Sequence, residues 1–258
     1  MITMEGAVHM LSFITKQDIL NNIDQDIIKR KINVTKRNGN SISLRPIVYN
    51  CIRAIYYEIF DYERVPSPDL TMDRSFYWTG PIGSTLHEKL QDLMGLTNQY
   101  YTERLMTFRS FEPLAIRSKC DGIDMRDPNN IILYELKTKN KIPSKPYKEE
   151  LLQNLLSVFF FRNECNLNIR GSSMVYVLRD DPYNINFFNY DFFDKTSPIY
   201  IDVIDELSDT FDKVVDILTA MKDKRAPSID NKHIKKFAYG RCQCNDCVYR
   251  DVCKHDDW

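Results

Sequence analysis

The residues best suited to chemistry are Glu135 and Lys137, in the stretch "IILYELKT". This stretch is apolar at its start and charged at its end, which is typical of a β-strand that leaves a hydrophobic core. Side chains two positions apart on a strand point to the same face. A carboxylate can bind a divalent cation, and a neighbouring ammonium can position water and stabilise developing charge. The pair indicates phosphodiester hydrolysis; a solvent-facing ion pair on an edge strand is the alternative.

A second acid precedes this strand. Residues 116–123 are predicted to form one strand, followed by a turn at "RDPNN", where Pro128 and two Asn residues are typical turn formers. Asp121 and Asp124 both lie near the end of that strand, fourteen and eleven residues before Glu135. Either carboxylate could join Glu135 in a cation site.

Helices are predicted on both sides of this hairpin. "GPIGSTLHEKLQDLMG" carries His87 and is amphipathic, and "KPYKEELLQNLLSVFFFRN" is apolar apart from residues such as Gln153. The apolar stripe of the first helix consists of Leu86, Leu90, Leu93 and Met94. Further helices are predicted at "TKQDILNNIDQDIIKRKI", "LRPIVYNCIRAIYYEIF" and "SPIYIDVIDELSDTFDKVVDILTAMK", strands at "SSMVYVLRDD" and "NINFFNY", and a loop at "DYERVPSPDLTMDRSFYWTG".

The order of these residues resembles that of the PD-(D/E)XK nuclease superfamily, specifically the RecB-like exonucleases. The matching elements are G-x3-H from Gly83 to His87, "CDGI" at Asp121, "ELK" at 135–137, and Gln153. One position departs from the pattern, because Ser157 stands where the family has a Tyr four residues after the Gln.

The resemblance implies a restriction-endonuclease-like α/β (α+β) fold, with a central mixed β-sheet flanked by helices. It implies one domain over 1–258, with the nuclease core at 80–200. It further implies a catalytic set of Asp121, Glu135, Lys137 and Gln153. It also implies a Mn²⁺ or Mg²⁺ site formed by His87, Asp121, Glu135 and the main-chain carbonyl of Leu136. "DGI" before a turn matches the family pattern and favours Asp121 over Asp124.

The cysteines near the C-terminus are the second chemical feature. Cys244, Cys247 and Cys253 read C-x2-C-x5-C in "CQCNDCVYRDVC", a spacing that lets thiolates turn onto one metal centre. A fourth thiolate would come from Cys51, Cys120, Cys165 or Cys242. The spacing leaves open a zinc knuckle that uses Cys242, a cluster that uses Cys51, or a chance run of surface thiols.

One branch of the nucleases named above, including CRISPR-associated exonucleases and the AddB nuclease domain, carries an iron–sulfur cluster. Its ligands are an N-terminal cysteine, in a C-x-R helix with a nearby Tyr, and a C-terminal C-x2-C-x5-C. The resemblance implies a 4Fe–4S cluster on Cys51, Cys244, Cys247 and Cys253, with zinc as the alternative metal. Such a cluster would staple a helical lobe made of 1–60 and 225–258 by closing a long loop.

The composition is that of one soluble globular domain. The chain has 258 residues, 43% of them hydrophobic, and a net charge of −1. No apolar run approaches the length of a membrane span, and the N-terminus is a poor secretion signal. We therefore expect no membrane partner and a cytoplasmic location in a bacterial, archaeal or phage-infected cell. Between residues 222 and 241, seven Lys and Arg residues against two acids could follow a DNA backbone.

Together these features predict a metal-dependent DNA exonuclease that acts on single-stranded ends. Its expected partners are DNA and proteins of CRISPR adaptation, recombination and repair, or phage DNA metabolism. One alternative is a non-catalytic DNA-binding subunit with a nuclease-like fold. Another is a zinc- or cluster-bearing interaction module in which E-x-K occurs by chance.

Overall fold

The computed structural model describes residues 16–32, 41–66, 69–95, 104–109, 111–192, 199–232 and 247–255. The helices within these ranges are α1 Lys16–Ile32, α2 Leu44–Tyr49, α3 Ile52–Ile59, α4 Thr71–Gly95, α5 Lys148–Cys165, α6 Ile199–Asp223 and α7 Arg250–His255. The strands are β1 Ser41–Ser43, β2 Arg104–Phe108, β3 Ala115–Cys120, β4 Gly122–Asp124, β5 Ile131–Lys139, β6 Ile169–Leu178 and β7 Ile185–Asp191.

The strands form two sheets. The larger is mixed and has the order β4-β5-β6-β7, with β5 and β6 parallel and the other pairs antiparallel. The smaller has the order β1-β3-β2. Helix α5 connects the parallel strands β5 and β6, as parallel pairing requires a crossover.

The two faces of the larger sheet are covered by different helices. Leu133 on β5 belongs to the main hydrophobic core, together with buried leucines of α5 and apolar residues of α2 and α6. Leu136 points to the opposite face, where it packs with Val175 and Val177 against Leu90 of α4. This alternation along β5 places Glu135 and Lys137 on the α5 face.

The mixed α/β architecture predicted from the sequence is confirmed, and it is consistent with a restriction-endonuclease-like fold. The predicted helices α1, α5 and α6 and the strands β5, β6 and β7 are also confirmed, with small shifts at their ends. No helix in the described ranges combines the length and the apolar character that crossing a membrane would need.

Three predicted elements differ from the structure. The strand predicted over 116–123 is two strands, β3 and β4, which belong to different sheets and are separated by a bend at Asp121. The second half of the loop predicted over 61–80 is helical, because α4 begins at Thr71 and continues through Pro81. In the predicted apolar stripe of α4, Leu93 is 53% exposed, because the contacts of this helix with the sheet lie further back, at Leu90.

The helix predicted over 44–60 is interrupted. Asn50 has an extended backbone, so α2 ends at Tyr49 and α3 begins after Cys51. The Lys213 side chain of α6 is fully buried, and its ammonium donates to the carbonyl oxygens of Ile47 and Asn50. The break therefore has a tertiary cause, because Lys213 supplies donors that the interrupted helix lacks.

The C-terminal segment packs against α3. Tyr249 is buried against Tyr57, with ring centroids 5.7 Å apart. The Val65 N–H donates to the Val248 carbonyl oxygen at 2.8 Å, and Arg64 Nε donates to the Tyr249 hydroxyl at 2.8 Å. Residues 247–255 are thus held to a part of the chain about two hundred positions away.

Candidate active site and cysteine cluster

Strand β5 carries the central ion pair of the candidate site. Its apolar first half is buried in the core, and its charged second half extends beyond strand β4, whose first residue, Gly122, pairs with Tyr134. Glu135 is 4% exposed, and its carboxylate accepts a hydrogen bond from the Lys137 ammonium. The solvent-facing alternative for this pair does not fit the burial of Glu135.

Asp121 lies where the chain passes from one sheet to the other. Its carboxylate oxygen Oδ2 accepts a hydrogen bond from the main-chain N–H of Leu136 at 2.7 Å. Strand β4 begins one residue later in the chain, at Gly122, so β4 has no residue opposite Leu136 and the Asp121 carboxylate supplies the missing acceptor. In a strand the N–H and C=O of one residue point to the same side, so the Leu136 carbonyl faces the same edge as Asp121.

His87 approaches from helix α4. Its Nε2 lies 3.0 Å from Asp121 Oδ2, and this hydrogen bond raises the pKa of His87. Gly83, one turn earlier, explains the close approach of the helix. A Cβ at Gly83 would lie 2.8 Å from Thr138 Oγ1 on β5. The G-x3-H spacing thus combines close helix–strand packing with a histidine at the edge of the sheet.

Gln153 approaches from helix α5. Its Nε2 donates to Glu135 Oε1 at 3.1 Å. Ser157, at the position where the family pattern has Tyr, is buried, and its hydroxyl lies 2.9 Å from that of Ser118 on β3. The position of the missing Tyr therefore faces the smaller sheet.

The ionisable side chains of the site shift one another's pKa values. Burial raises the pKa of Glu135 to about 7, with a further contribution from the nearby Asp121 carboxylate, and Lys137 opposes the shift. Burial acts to lower the pKa of Lys137, but the carboxylates of Glu135, Asp121 and Glu150 outweigh it, and the pKa is raised. Lys137 is therefore a fixed cation, whereas Glu135 gains or loses a proton near neutrality.

Asp124 has a different environment from Asp121. It pairs with Ile132 on β5, three residues before Glu135. Its carboxylate binds the Arg126 side chain, with Nε 2.9 Å from both oxygens. The sequence left two candidate acids, and of these Asp121 is the one that contacts His87 and Leu136.

The donors near Glu135 suit a hard divalent cation, because they are two buried carboxylates, an imidazole and a carbonyl oxygen. Among the described residues, no group of three or more His, Cys, Asp and Glu side chains is arranged to hold a metal ion. The acids are instead satisfied by protein donors: Lys137 and Gln153 at Glu135, and His87 and Leu136 at Asp121. A cation at Glu135 would compete with the Lys137 ammonium for the same oxygen.

A second polar group adjoins the site and was not anticipated from the sequence. The Glu150 carboxylate of α5 binds the Lys139 ammonium and accepts a hydrogen bond from the Tyr176 hydroxyl at 2.7 Å. Lys139 continues the alternation of Glu135 and Lys137 along one face of β5. This alternation was the one feature of the sequence that could have indicated the second polar group, because Glu150 and Tyr176 are brought there by other elements.

Three of the predicted cluster cysteines, all within the described residues, border the same small apolar group, but by themselves they are not arranged to hold a metal ion. Cys51, Cys247 and Cys253 are half-buried and pack against one small apolar group that includes Tyr57 and Tyr249. Cys244, the fourth predicted ligand, lies outside the described residues, as does Cys242. Cys120 and Cys165 belong to the main core instead. Four thiolates from this set would suit an iron–sulfur cluster or zinc.

Arg53 connects α3 to this region. It is 2% exposed, donates to the Tyr57 hydroxyl at 3.0 Å, and donates to the Cys253 carbonyl oxygen at 3.3 Å. Cys51 caps the N-terminus of α3, because its sulfur accepts a hydrogen bond from the Ala54 N–H at 3.4 Å. Arg53 thus cross-links α3 to the C-terminal segment that carries Cys253.

Comparisons with known proteins identify a shared fold. A crystal structure described as SSO0001 aligns at a TM-score of 0.52 and 16% identity, over 91% of this chain and 96% of that chain. A crystal structure of an alkaline exonuclease (LHK-Exo) from Laribacter hongkongensis aligns at a TM-score of 0.40 and 9% identity, over 78% of this chain and 97% of that chain. No protein-family model and no curated protein matches the chain. At 16% identity, the likeness to SSO0001 concerns the fold alone.

Proposed function

We propose that this protein is a metal-dependent nuclease that hydrolyses DNA from single-stranded ends. One observation carries the proposal: Asp121, Glu135 and Lys137 meet with His87 and Gln153 at one buried sheet edge, although they come from three elements and a bend. A chance E-x-K pair would not have these partners. Buried groups with perturbed pKa values in such an arrangement are typical of active sites.

In this proposal, Asp121, Glu135, the Leu136 carbonyl and His87 hold Mn²⁺ or Mg²⁺. When bound, the cation would polarise the scissile phosphodiester and make water more acidic. Asp121 and Glu135 are suited to this role because the repulsion between their charges is relieved by a cation. Gln153 orients the Glu135 carboxylate through its 3.1 Å hydrogen bond.

Lys137 has the catalytic role that follows from its charge. Its pKa is raised, so the ammonium keeps its proton at any pH at which the protein works. With the Glu135 carboxylate engaged in metal binding, the Lys137 ammonium would face the substrate. There it would orient the attacking water and stabilise the additional negative charge on the phosphoryl oxygens.

The cysteine set is proposed to hold a 4Fe–4S cluster through Cys51, Cys244, Cys247 and Cys253. Its role would be structural, since it would cross-link α3 to the C-terminal segment. The packing of three of these cysteines around one apolar group supports the proposal. CRISPR adaptation, recombination and phage DNA metabolism are the processes in which such an enzyme would act, with proteins of those processes as partners.

The test is degradation of a labelled single-stranded oligonucleotide by purified protein with Mn²⁺ or Mg²⁺. The same preparation is analysed for iron and zinc. Glu135→Gln, which keeps the side-chain shape but removes the charge, is the matched control. We expect metal-dependent degradation by the wild type and none by Glu135→Gln. Binding of DNA without cleavage under any metal would instead favour the non-catalytic DNA-binding alternative.

A further inference from the structure

An open groove of about 1050 Å³ lies beside the candidate active site, between the β5–α5 connection and strand β7. This groove, the lysine groove, is lined by residues that include Lys141, Lys145, Tyr147, Lys148 and Asn186. Among the described residues, no acidic side chain contributes to the lining. An open cleft with charge of one sign attracts ligands of the opposite sign.

Two lysines of the lysine groove, Lys141 and Lys145, have no acidic partner among the residues that the structure describes. Residues 139–148 contain four lysines and no Asp or Glu. Lys139 is bound to Glu150, but Lys141 and Lys145 are exposed and form no ion pair with any described residue. Two prolines, Pro143 and Pro146, fix backbone angles in the connection and reduce the entropy that ligand binding would cost.

The lysine groove and Lys137 lie on the same face of the larger sheet. Lys137 pairs with Tyr176 on β6, and Tyr176 pairs with Asn186 on β7. Residues paired across neighbouring strands share a face of the sheet. With strands about 4.8 Å apart, Asn186 lies about 10 Å from Lys137 along this row.

Tyr147 adds an aromatic surface. Its side chain is 45% exposed, and the Lys139 ammonium lies 4.6 Å from the ring centroid. Sites that bind single-stranded nucleic acid typically combine basic side chains, which contact phosphates, with exposed aromatic rings, on which bases stack. The lysine groove has both features.

We propose that the lysine groove binds the single-stranded DNA segment next to the scissile phosphate. Lys141 and Lys145 contact its phosphates, and Tyr147 stacks on one of its bases. This inference rests on the proposed nuclease function. It specifies which surface of the protein receives the substrate strand.

The test measures binding of a fluorescent single-stranded oligonucleotide by anisotropy in EDTA, where no cleavage occurs, over a series of salt concentrations. The variants are Lys141→Ala/Lys145→Ala and Tyr147→Ala. The charge-matched control is Lys16→Ala/Lys254→Ala, which removes two exposed lysines elsewhere. Circular dichroism and the thermal unfolding midpoint verify that each variant is folded.

Each phosphate contact to a single strand contributes about 0.7 to the slope of log K against log salt. We expect Lys141→Ala/Lys145→Ala to lower the magnitude of that slope by about 1.4 relative to the control. Tyr147→Ala should weaken binding about 5-fold or more, the lower range for loss of base stacking, without changing the slope.

Two outcomes would overturn the inference, and they are distinguishable. If the wild type binds and degrades DNA but the lysine variant matches the control in affinity and slope, the groove assignment is wrong and the nuclease proposal stands. If the wild type neither binds nor degrades single-stranded DNA, both proposals are wrong.

Discussion

The Asp121 carboxylate accepts a hydrogen bond from the main-chain N–H of Leu136 at 2.7 Å, just before strand β4 begins beside β5. One side chain thus completes the backbone hydrogen bonding of the strand and faces His87. The strand that carries Glu135 and Lys137 is fixed to the bend that carries Asp121. This contact links the geometry of the fold to that of the candidate site.

The first prediction separates the two candidate acids. Asp121→Asn should weaken Mn²⁺ binding by more than about 10-fold. Removing a group that only hydrogen-bonds to a metal ligand already weakens metal binding by about 10- to 100-fold, and Asp121 is itself a proposed ligand. Asp124→Asn should keep wild-type Mn²⁺ affinity. Its carboxylate is engaged by the Arg126 side chain, and Asp124 pairs with Ile132, three residues before Glu135 on β5. Isothermal titration with Mn²⁺ measures both. Loss of affinity in Asp124→Asn alone would contradict the assignment.

The second prediction concerns the mechanism. Lys137→Ala should slow single-turnover cleavage by about 100- to 1000-fold, the usual cost of removing one preorganised electrostatic group. Binding of the oligonucleotide in Ca²⁺ should change little, because the ammonium acts mainly where charge develops in the transition state. Lys89→Ala, an exposed lysine on α4, is the control. Cleavage by Lys137→Ala at the wild-type rate would exclude the proposed role.

The third prediction is a pH dependence of metal binding. Without metal, burial raises the pKa of Glu135 to about 7, so a proton and a cation compete for its carboxylate. Mn²⁺ affinity should therefore rise with pH between about 5 and 8, and Glu135→Gln should reduce that slope. Some slope should remain in Glu135→Gln, because the pKa of His87 is also raised and its proton must leave. Titrations at several pH values test this, and a flat wild-type profile would rule it out.

The fourth prediction concerns the cluster. Protein purified without oxygen should be brown, with broad absorption at about 400 nm, and should contain iron. Cys51→Ala and Cys253→Ala should lose colour and iron, whereas Cys165→Ala, a half-buried cysteine of the main core, should retain both. Elemental analysis and absorption spectra measure these changes. Stoichiometric zinc without iron would show that the site is a zinc site.

The fifth prediction tests the interruption between α2 and α3. Lys213→Met should lower the free energy of unfolding by about 3 kcal/mol, because it leaves the carbonyl oxygens of Ile47 and Asn50 buried without this donor. Lys222→Met, exposed on the same helix, should change it by about 0.5 kcal/mol or less. Urea unfolding compares the two. Equal stability of both variants would mean that Lys213 does not maintain the break.

The sequence was sufficient for features that depend on local pattern. Helix and strand type followed from periodicity, since an amphipathic helix and an alternating strand each repeat their apolar residues at a known interval. The same rule placed Glu135 and Lys137 on one face of β5. The spacings Gly83 to His87 and Cys247 to Cys253 could also be recognised, because both are set within a single short segment.

Only the tertiary structure decided how these segments meet. An unbroken strand over 116–123 satisfies every local rule, yet Asp121 is a bend, because two sheets diverge there and Leu136 needs an acceptor. The break at Asn50 likewise depends on Lys213, more than 160 positions later. Such long-range hydrogen bonds leave no periodic trace in the sequence, since each partner alone is compatible with several local structures.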